Sequence, residues 1–207
     1  MYLLLGDAGT VTALEYSEED YDEMNFNYLT DGSGRASVIV PDGGSRNPVN
    51  DKSFILEDYG DGIKRTRLQE KMDGAEVFSF AIHYVPKNFK DLCERINLDK
   101  EAVDYMLIHQ ANKFLCEKLR KKIGFPPEKC PYNIQEFGNT SGATIPLLMV
   151  TNLKKELESR PLTLCMTTIG VGFSLGSGCI KTNKIVCPDL LLSLIHISEP
   201  TRLALIS

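Results

Sequence analysis

The sequence predicts a layered α/β fold, because strand-like and helix-like segments alternate over its second half. Residues 105–108 and 162–168 are apolar runs of strand length, and the second run is also rich in threonine. Residues 74–96 place apolar side chains at spacings of three, four and seven, the pattern of an amphipathic helix. With 207 residues, 43% of them hydrophobic, the chain can bury the core of one or two domains.

The first third of the chain predicts little regular structure. Two short apolar runs, residues 2–5 and 11–14, flank Gly6-Asp7-Ala8-Gly9 and predict two strands around a tight turn. From residue 16 to about residue 71, glycine and proline predict loops with short β-like runs such as 37–40. Acidic residues between 18 and 23 predict a solvated loop.

The later elements follow from periodicity and from chain breakers. Pro86 predicts an end or a kink in the helix over 74–96. We expect further helices over 112–123 and 141–158, a short strand over 132–134, and a glycine-rich loop from 170 to 178.

The composition narrows the class of protein. A formal charge of −5 argues against a general nucleic-acid binder. The six cysteines are widely spaced, without a C-x-x-C pair, which argues against a metal site and predicts reduced cytosolic thiols. No apolar run approaches the ~18–20 residues that a membrane span needs. We therefore expect a cytoplasmic protein without a metal, a membrane or a nucleic-acid partner.

Two polar residues stand where strand-like runs give way to helix-like runs. His109 follows the run over 105–108, and Asn139 follows Gly138 ahead of the third helix. Strand ends of this kind collect ligands and catalytic groups in open α/β sheets. If the imidazole and the carboxamide converge, both can donate to one oxygen and stabilise an oxyanion or enolate. Taken singly, His109 is better explained as a hydrogen-bonded core histidine, and Asn139 as a turn residue beside Gly138.

Four motifs, read in order, carry a resemblance to one family. Gly6-Asp7-Ala8-Gly9 comes first, and residues 72–78 (MDGAEVF) follow. The third motif combines 109–112 (HQAN) with 137–146 (FGNTSGATIP), and the fourth is 170–177 (GVGFSLGS). Together they resemble the C-terminal half of beta-ketoacyl-acyl-carrier-protein synthase III, a condensing enzyme of the thiolase superfamily.

The resemblance implies a thiolase-like fold with a mixed central sheet covered by helices. It also implies an acyltransferase of fatty-acid biosynthesis that condenses acyl-CoA with malonyl-acyl carrier protein by a decarboxylative Claisen reaction. No cofactor is then expected beyond these two substrates. The partners implied are the acyl carrier protein, acyl-CoA and, in the full-length enzyme, a second copy of the chain.

The resemblance also assigns roles to particular residues. His109 and Asn139 become the catalytic pair that hydrogen-bonds the malonyl thioester oxygen, and Asn112 is placed to bind the pantetheine arm. The glycine-rich turn would supply a backbone N–H that faces the acyl thioester, with a valine in place of the family's middle glycine. This turn consists of Gly170, Val171, Gly172 and Phe173.

A basic helix face completes the expected site. The resemblance assigns Lys113 and Lys118 to a patch that receives the acidic carrier protein, and such a patch would raise the encounter rate. The same face includes Arg120, Lys121 and Lys122. The sequence departs from the family at Phe114, where an arginine is common.

The resemblance further predicts that the chain is one half of an enzyme. We expect a synthase III C-terminal domain over residues 1–191, in which 1–15 end the preceding half. Residues 192–207 resemble the translation of a sequencing adapter and are expected to be a non-native tail. The family's nucleophilic cysteine lies in the other half, and none of the six cysteines here has its context. The fragment alone is therefore expected to be inactive.

Two other functions fit parts of the sequence. A serine esterase is one, because residues 172–176 match G-x-S-x-G around Ser174, with Asp189 and His196 following in hydrolase order. A nucleophile elbow, however, needs a helix directly after its serine, and a strand is expected here. The other is a non-catalytic half-domain that packs on a partner chain.

Overall fold

A four-stranded mixed sheet forms the centre of the fold. The computed structural model describes residues 4–16, 18, 24–60 and 62–192. The sheet has the order β1-β8-β7-β6, in which β8 is antiparallel to both neighbours and β6 is parallel to β7. Two small ladders, β2 with β5 and β3 with β4, lie outside it. The strands are β1 (Asn25–Thr30), β2 (Val38–Ile39), β3 (Glu57–Asp58), β4 (Lys64–Arg65), β5 (Lys71–Met72), β6 (Tyr105–Ile108), β7 (Leu162–Gly170) and β8 (Ser174–Thr182).

The helices follow the predicted positions over most of the second half. The predicted third helix is present but changes type along its length, from a 3-10 turn to α, to a π-helical turn and back to α. The α-helices are α1 (Gly74–Arg95), α2 (Lys113–Ile123), α3 (Ile134–Phe137), α4 (Thr144–Leu148) and α5 (Lys154–Ser159). The 3-10 turns are Gly32–Ala36, Asp51–Phe54, Lys100–Ala102, Pro127–Lys129 and Ser141–Ala143, and the π turn is Met149–Leu153.

Helices cover both faces of the sheet. Side chains alternate along β6, so that Met106 and Ile108 pack with α1 and α2, whereas Leu107 packs with Leu148 and Leu157 of α4 and α5. Each fully buried side chain of this size stabilises the fold by about 1.5–3 kcal/mol. The predicted architecture, a mixed central sheet covered by helices, is confirmed.

Helix α1 runs through Pro86 to Arg95, so of the two predicted effects of this proline, an end or a kink, the end does not occur. A proline inside a helix removes one backbone hydrogen bond and costs about 3 kcal/mol. Val85, Phe89 and Leu92, which flank the proline, are almost completely buried. Their burial, at about 1.5–3 kcal/mol each, outweighs the cost.

The glycine-rich segment is a tight hairpin and not a long loop. Only residues 171–173 connect β7 to β8, and Gly176 and Gly178 lie inside β8. A methyl group on Gly176 would come within 3.0 Å of the Tyr28 ring, and one on Gly178 within 2.9 Å of the Phe26 ring. These glycines therefore make room for the aromatic rings of β1, which the sequence pattern did not identify as a strand.

Two other strand predictions are wrong. Residues 11–14 form no strand, and Leu5 makes only an isolated bridge with Asn139. Residues 132–134 lead into α3, because Ile134 begins a helical turn. The short run at 37–40 does contain β2. The predictions for the tail over 193–207 and for most of the acidic run lie outside the described residues.

Candidate active site

His109 continues β6 directly into the site. Its backbone N–H donates to the Thr167 carbonyl at 2.9 Å, extending the pairing with β7 by one residue. Its carbonyl accepts from the Ala111 N–H at 2.9 Å and from Cys116 Sγ at 3.4 Å. The half-buried imidazole has Nδ1 2.7 Å from Thr144 Oγ1. The strand and the following turn thus fix the position of the ring.

The rest of this motif has structural partners. Gln110 is fully buried and donates from Nε2 to the Ile108 carbonyl. Asn112 is the N-cap of α2, and its Oδ1 accepts from the Leu115 N–H at 2.8 Å. An N-cap of this type stabilises a helix by about 1 kcal/mol. The side-chain N–H2 of Asn112 is then the group that remains for a ligand.

Asn139 lies in a turn that the start of the chain holds in place. Its N–H donates to the Leu4 carbonyl at 2.8 Å, and its carbonyl accepts from the Gly6 N–H at 3.0 Å. A methyl group on Gly6 would lie 1.8 Å from the Phe137 carbonyl oxygen, so only glycine fits this contact. Sequence reasoning assigned Gly6 to a tight turn and missed this role, although its motif was one of the four noted.

The side-chain amide of Asn139 has a defined orientation. Its Oδ1 accepts from the Ser141 N–H at 2.9 Å. The acceptor end of the amide is therefore occupied, and Nδ2 is the end that can donate to a ligand.

A continuous series of close polar contacts joins the two predicted catalytic residues. His109 Nδ1 contacts Thr144 Oγ1, this oxygen lies 3.0 Å from the Ser141 carbonyl, and Ser141 N–H donates to Asn139 Oδ1. Thr144 is buried, and sequence reasoning missed it because a threonine at a helix start has an ordinary structural explanation. The contact between His109 and Thr144 thus brings the two motifs together.

Burial sets the charge of the histidine. The pKa of His109 lies below its usual range because burial disfavours the charged imidazolium. The ring is therefore neutral at neutral pH and carries one N–H. A neutral imidazole and a carboxamide are both hydrogen-bond donors to an oxygen, and neither delivers a proton at low cost.

The end of β7, which leads into the β7–β8 turn, lies next to His109. Ile169 and Thr168, near the end of β7, line the same narrow crevice as His109 and Leu115. Val171 at the tip of the turn is 63% exposed, and Gly172 has a φ of 135°, which favours glycine. Gly170 pairs with Ser174 in the last rung of the hairpin.

Phe173, which was predicted to bind substrate, makes packing contacts through both its backbone and its ring. Its N–H donates to the Asp31 carbonyl at 2.8 Å, and its carbonyl accepts from the Asp31 N–H at 2.7 Å. Its ring is buried and stacks on Phe80 with the centroids 4.5 Å apart. Both the backbone donor and the side chain are therefore occupied inside the protein.

The basic face of α2 is narrower than predicted. Lys113 and Lys118 are exposed, and the Lys118 ammonium lies 5.3 Å from the centre of the exposed Phe114 ring. Arg120 does not belong to this surface, because it is buried, pairs with Glu117 at 2.9 Å and donates to the Phe125 carbonyl. The patch consists of Lys113, Lys118, Lys121 and Lys122.

The six cysteines are buried, and none of them forms a disulfide. Burial raises the pKa of Cys116 to about 11 and that of Cys130 to about 12. The pKa values of Cys93 and Cys187 are also raised by burial. The pKa of Cys165 is raised by its hydrogen bond to Cys179 and by burial. A reactive cysteine needs a lowered pKa and access to substrate, so these thiols do not fit a nucleophile.

The surroundings of Ser174 do not fit an esterase. Ser174 begins a strand and not a helix, and its Oγ lies 3.1 Å from Thr30 Oγ1. Asp189 pairs with Lys154 at 3.3 Å, and His196 lies outside the described residues. Within the described ranges, no group of three or more histidine, cysteine or acidic side chains is arranged to hold a metal ion, and no helix is long and apolar enough to cross a membrane.

Comparison with known proteins identifies the family. Residues 93–182 match the family model for the C-terminal domain of 3-oxoacyl-(acyl-carrier-protein) synthase III. Over these residues the chain is similar to the C-terminal domain of this family. The match includes His109, Asn139 and the β7–β8 turn.

Individual synthase III proteins show the extent of the similarity. The chain is 33% identical over 184 residues to beta-ketoacyl-(acyl-carrier-protein) synthase III of Streptococcus agalactiae, covering 86% of this chain and 52% of that protein. For the Lactococcus lactis synthase III the identity is 32% over 167 residues, covering 72% and 51%. The crystal structure of 3-oxoacyl-(acyl-carrier protein) synthase from Burkholderia xenovorans LB400 has a TM-score of 0.73 and 36% identity, over 84% of this chain and 48% of that one. The chain thus spans about half the length of these synthase III relatives.

Proposed function

We propose that this chain supplies the histidine and asparagine half of a synthase III active site. The reaction is the decarboxylative Claisen condensation of acyl-CoA with malonyl-acyl carrier protein in fatty-acid biosynthesis. The observation that supports the proposal is the series of close polar contacts from His109 through Thr144 and Ser141 to Asn139. On this proposal, the Asn139 amide and the outer nitrogen of His109 donate to one ligand atom.

The chemistry places a negative charge where these two donors act. When the malonyl carboxylate leaves as carbon dioxide, the electron pair of the broken C–C bond forms an enolate, and charge grows on the thioester oxygen. His109 and Asn139 then hydrogen-bond this oxygen. Donors that are already oriented stabilise the transition state without reorganising, and losing one typically costs ~10²–10³ in rate.

The acyl group must be held by a nucleophile from outside this chain. In the complete enzyme, a cysteine of the other half would form the acyl thioester that the enolate attacks. The buried thiols with raised pKa values described above support this division. The exposed Val171, flanked by Gly170 and Gly172, is proposed to present its backbone N–H to the acyl thioester. This chain alone then performs no condensation.

Asn112 and the exposed lysines are proposed to bind the carrier-linked substrate. The N–H2 of Asn112 would donate to the pantetheine arm, since its oxygen already caps α2. Lys113, Lys118 and their two neighbours would attract the acidic carrier protein and raise the rate of encounter. Phe114, which is 62% exposed beside Lys118, would offer an apolar contact at the position where the family often has arginine.

We also propose a cellular location and an oligomeric state for the complete enzyme. Six buried thiols fit a reducing compartment, which supports a cytoplasmic location. The full-length protein is proposed to act as a homodimer without a bound cofactor. The non-catalytic half-domain that packs on a partner chain is the alternative that the following experiment separates.

The test uses the protein encoded by the complete reading frame that contains this chain. The purified protein is given acyl-CoA and malonyl-acyl carrier protein, and the β-ketoacyl product is quantified. His109→Ala and Asn139→Asp should each lower the rate by ~10²–10³, because each removes one donor. Asn139→Asp is the sharper change, since a carboxylate still accepts from the Ser141 N–H but has no N–H2 to donate.

His83→Ala is the matched control, because His83 is an exposed histidine on α1. It should leave the rate unchanged. A folded wild-type protein without condensation or malonyl decarboxylation would favour the non-catalytic alternative. Full activity of either His109→Ala or Asn139→Asp would contradict the assigned pair.

A further inference from the structure

The hydroxyl of Thr144 lies between two acceptors and has one proton to give. Its Oγ1 is 2.7 Å from His109 Nδ1 and 3.0 Å from the Ser141 carbonyl oxygen. The side chain is only 3% exposed, so water does not compete freely for this proton. The direction of the hydroxyl therefore decides which nitrogen of His109 is protonated.

The distances favour donation to the histidine. Hydroxyl donors typically lie about 2.7–2.8 Å from their acceptors, whereas N–H donors to oxygen lie at about 2.9–3.0 Å. The separation of 2.7 Å between Oγ1 and Nδ1 fits a hydroxyl donor better than a ring N–H donor. The separation of 3.0 Å to the Ser141 carbonyl lies at the long end of the range of about 2.5–3.0 Å for a hydroxyl donor.

The other partners point the same way. The Ser141 carbonyl already accepts from the Thr144 backbone N–H, so it does not need the hydroxyl. Among the described residues, Thr144 is the hydrogen-bond partner of His109 Nδ1. If the hydroxyl turned to Ser141, Nδ1 would have to carry the ring proton in order to keep its bond with Thr144.

We propose that Thr144 is a positioning residue that donates its hydroxyl proton to Nδ1 and so holds His109 as the tautomer protonated at Nε2. The consequence for catalysis rests on the proposed function: Nε2–H is the donor that reaches the enolate oxygen, while Thr144 itself touches no substrate. In the opposite tautomer the lone pair of Nε2 would face the enolate oxygen and repel it. The single hydroxyl thus determines whether the imidazole helps or opposes the reaction.

Nitrogen NMR of the protein labelled with 15N-histidine tests the tautomer directly. The protein is expressed from its complete reading frame, and His109 is assigned by comparison with His109→Gln. Wild-type protein should show a protonated Nε2 and an unprotonated Nδ1 that accepts a hydrogen bond. Thr144→Ser keeps the hydroxyl and should give the same spectrum.

Thr144→Val keeps the side-chain shape but removes the donor, and it should shift His109 to a mixture of tautomers or to the Nδ1-protonated form. Thr163→Val is the control, because Thr163 lies in β7 and its hydroxyl has no hydrogen bond among the described residues. A wild-type His109 protonated at Nδ1, or a Thr144→Val spectrum unchanged from wild type, would overturn the proposal. Should Thr144→Val fail to fold, the wild-type tautomer alone still decides.

Kinetics then separate this proposal from the proposed function. Loss of one hydrogen bond to a neutral group should lower kcat for condensation on the order of tenfold in Thr144→Val, with Thr144→Ser near wild type. If the tautomer shifts as described but the wild-type protein condenses nothing, the positioning role stands and the proposed function fails. If wild type condenses and Thr144→Val keeps both its rate and its tautomer, the positioning role fails alone.

Discussion

The two segments that carry the candidate donors are held in different ways. We call residues 105–123 the histidine arm and residues 137–146 the asparagine arm. His109 extends β6, bonds to β7 through Thr167, and is followed at once by α2 with its Asn112 cap. Asn139 lies in a turn between short helical pieces, and its backbone pairs with Leu4 and Gly6 from the start of the chain. The first arm is a local continuation of a strand, whereas the second depends on a contact between distant parts of the sequence.

This difference shows which part of the chain is needed for each donor. The histidine arm needs β6, its neighbour β7 and α2, all of which lie within the matched domain. The asparagine arm also needs the segment around Gly6, which lies outside residues 93–182. Damage to the N-terminal segment should therefore affect Asn139 and leave His109 in place.

Gly6→Ala is the strongest way to break the asparagine arm alone. Its methyl group would meet the Phe137 carbonyl at 1.8 Å, so the Leu4–Gly6 segment must move away from Asn139. We expect the free energy of unfolding to fall by about 1–3 kcal/mol, as in other overpacked sites. We also expect condensation to fall at least about tenfold, because one donor loses its support. Chemical denaturation and the condensation assay measure the two effects.

Gly9→Ala is the matched control, because a methyl group on Gly9 meets no atom within 4 Å. It should leave both stability and rate unchanged. The His109 tautomer should stay as in wild type in Gly6→Ala. A shift of that tautomer would show that the two arms are not held independently.

Reversing the charge of the exposed lysines of the histidine arm should have a smaller effect than Gly6→Ala. Replacing Lys113 and Lys118 together by glutamate reverses the charge next to the site. We expect the KM for the malonyl carrier protein to rise about tenfold, with kcat nearly unchanged, because rim charges act mainly on encounter. The effect should shrink at high salt, where surface charges are screened. Lys155→Glu on α5, across the sheet, should change nothing. An equal rise in KM for both variants would argue against a specific patch.

Two substitutions of Asn112 distinguish its role as a helix cap from its proposed role in substrate binding. Asn112→Ala removes the cap of α2 and should cost about 1 kcal/mol of stability. Asn112→Asp keeps a good cap and should preserve stability, but it lacks the N–H2 group. If that group binds the pantetheine arm, the KM for the malonyl carrier protein should rise about threefold in Asn112→Asp. Unchanged kinetics in this variant would leave Asn112 with its capping role only.

The same contrast explains what sequence reasoning could predict. The strand at Tyr105–Ile108, α2 and the position of His109 followed from local periodicity, and all three were predicted. The pairing of Gly6 with Asn139 and of β1 with β8 joins segments that are far apart in sequence, so no local pattern could show it. The glycines of β8 predicted a loop because their actual use, beneath the rings of Phe26 and Tyr28, depends on a distant strand.

Two neutral donors on separate arms are proposed to bind one oxygen. The test is a crystal structure of the protein, expressed from its complete reading frame, with a malonyl thioester analogue that cannot lose carbon dioxide. We predict that His109 Nε2 and Asn139 Nδ2 both lie about 2.7–3.2 Å from the thioester carbonyl oxygen. An analogue bound with its carbonyl oxygen against only one of these nitrogens, or against neither, would contradict the proposed pair of donors.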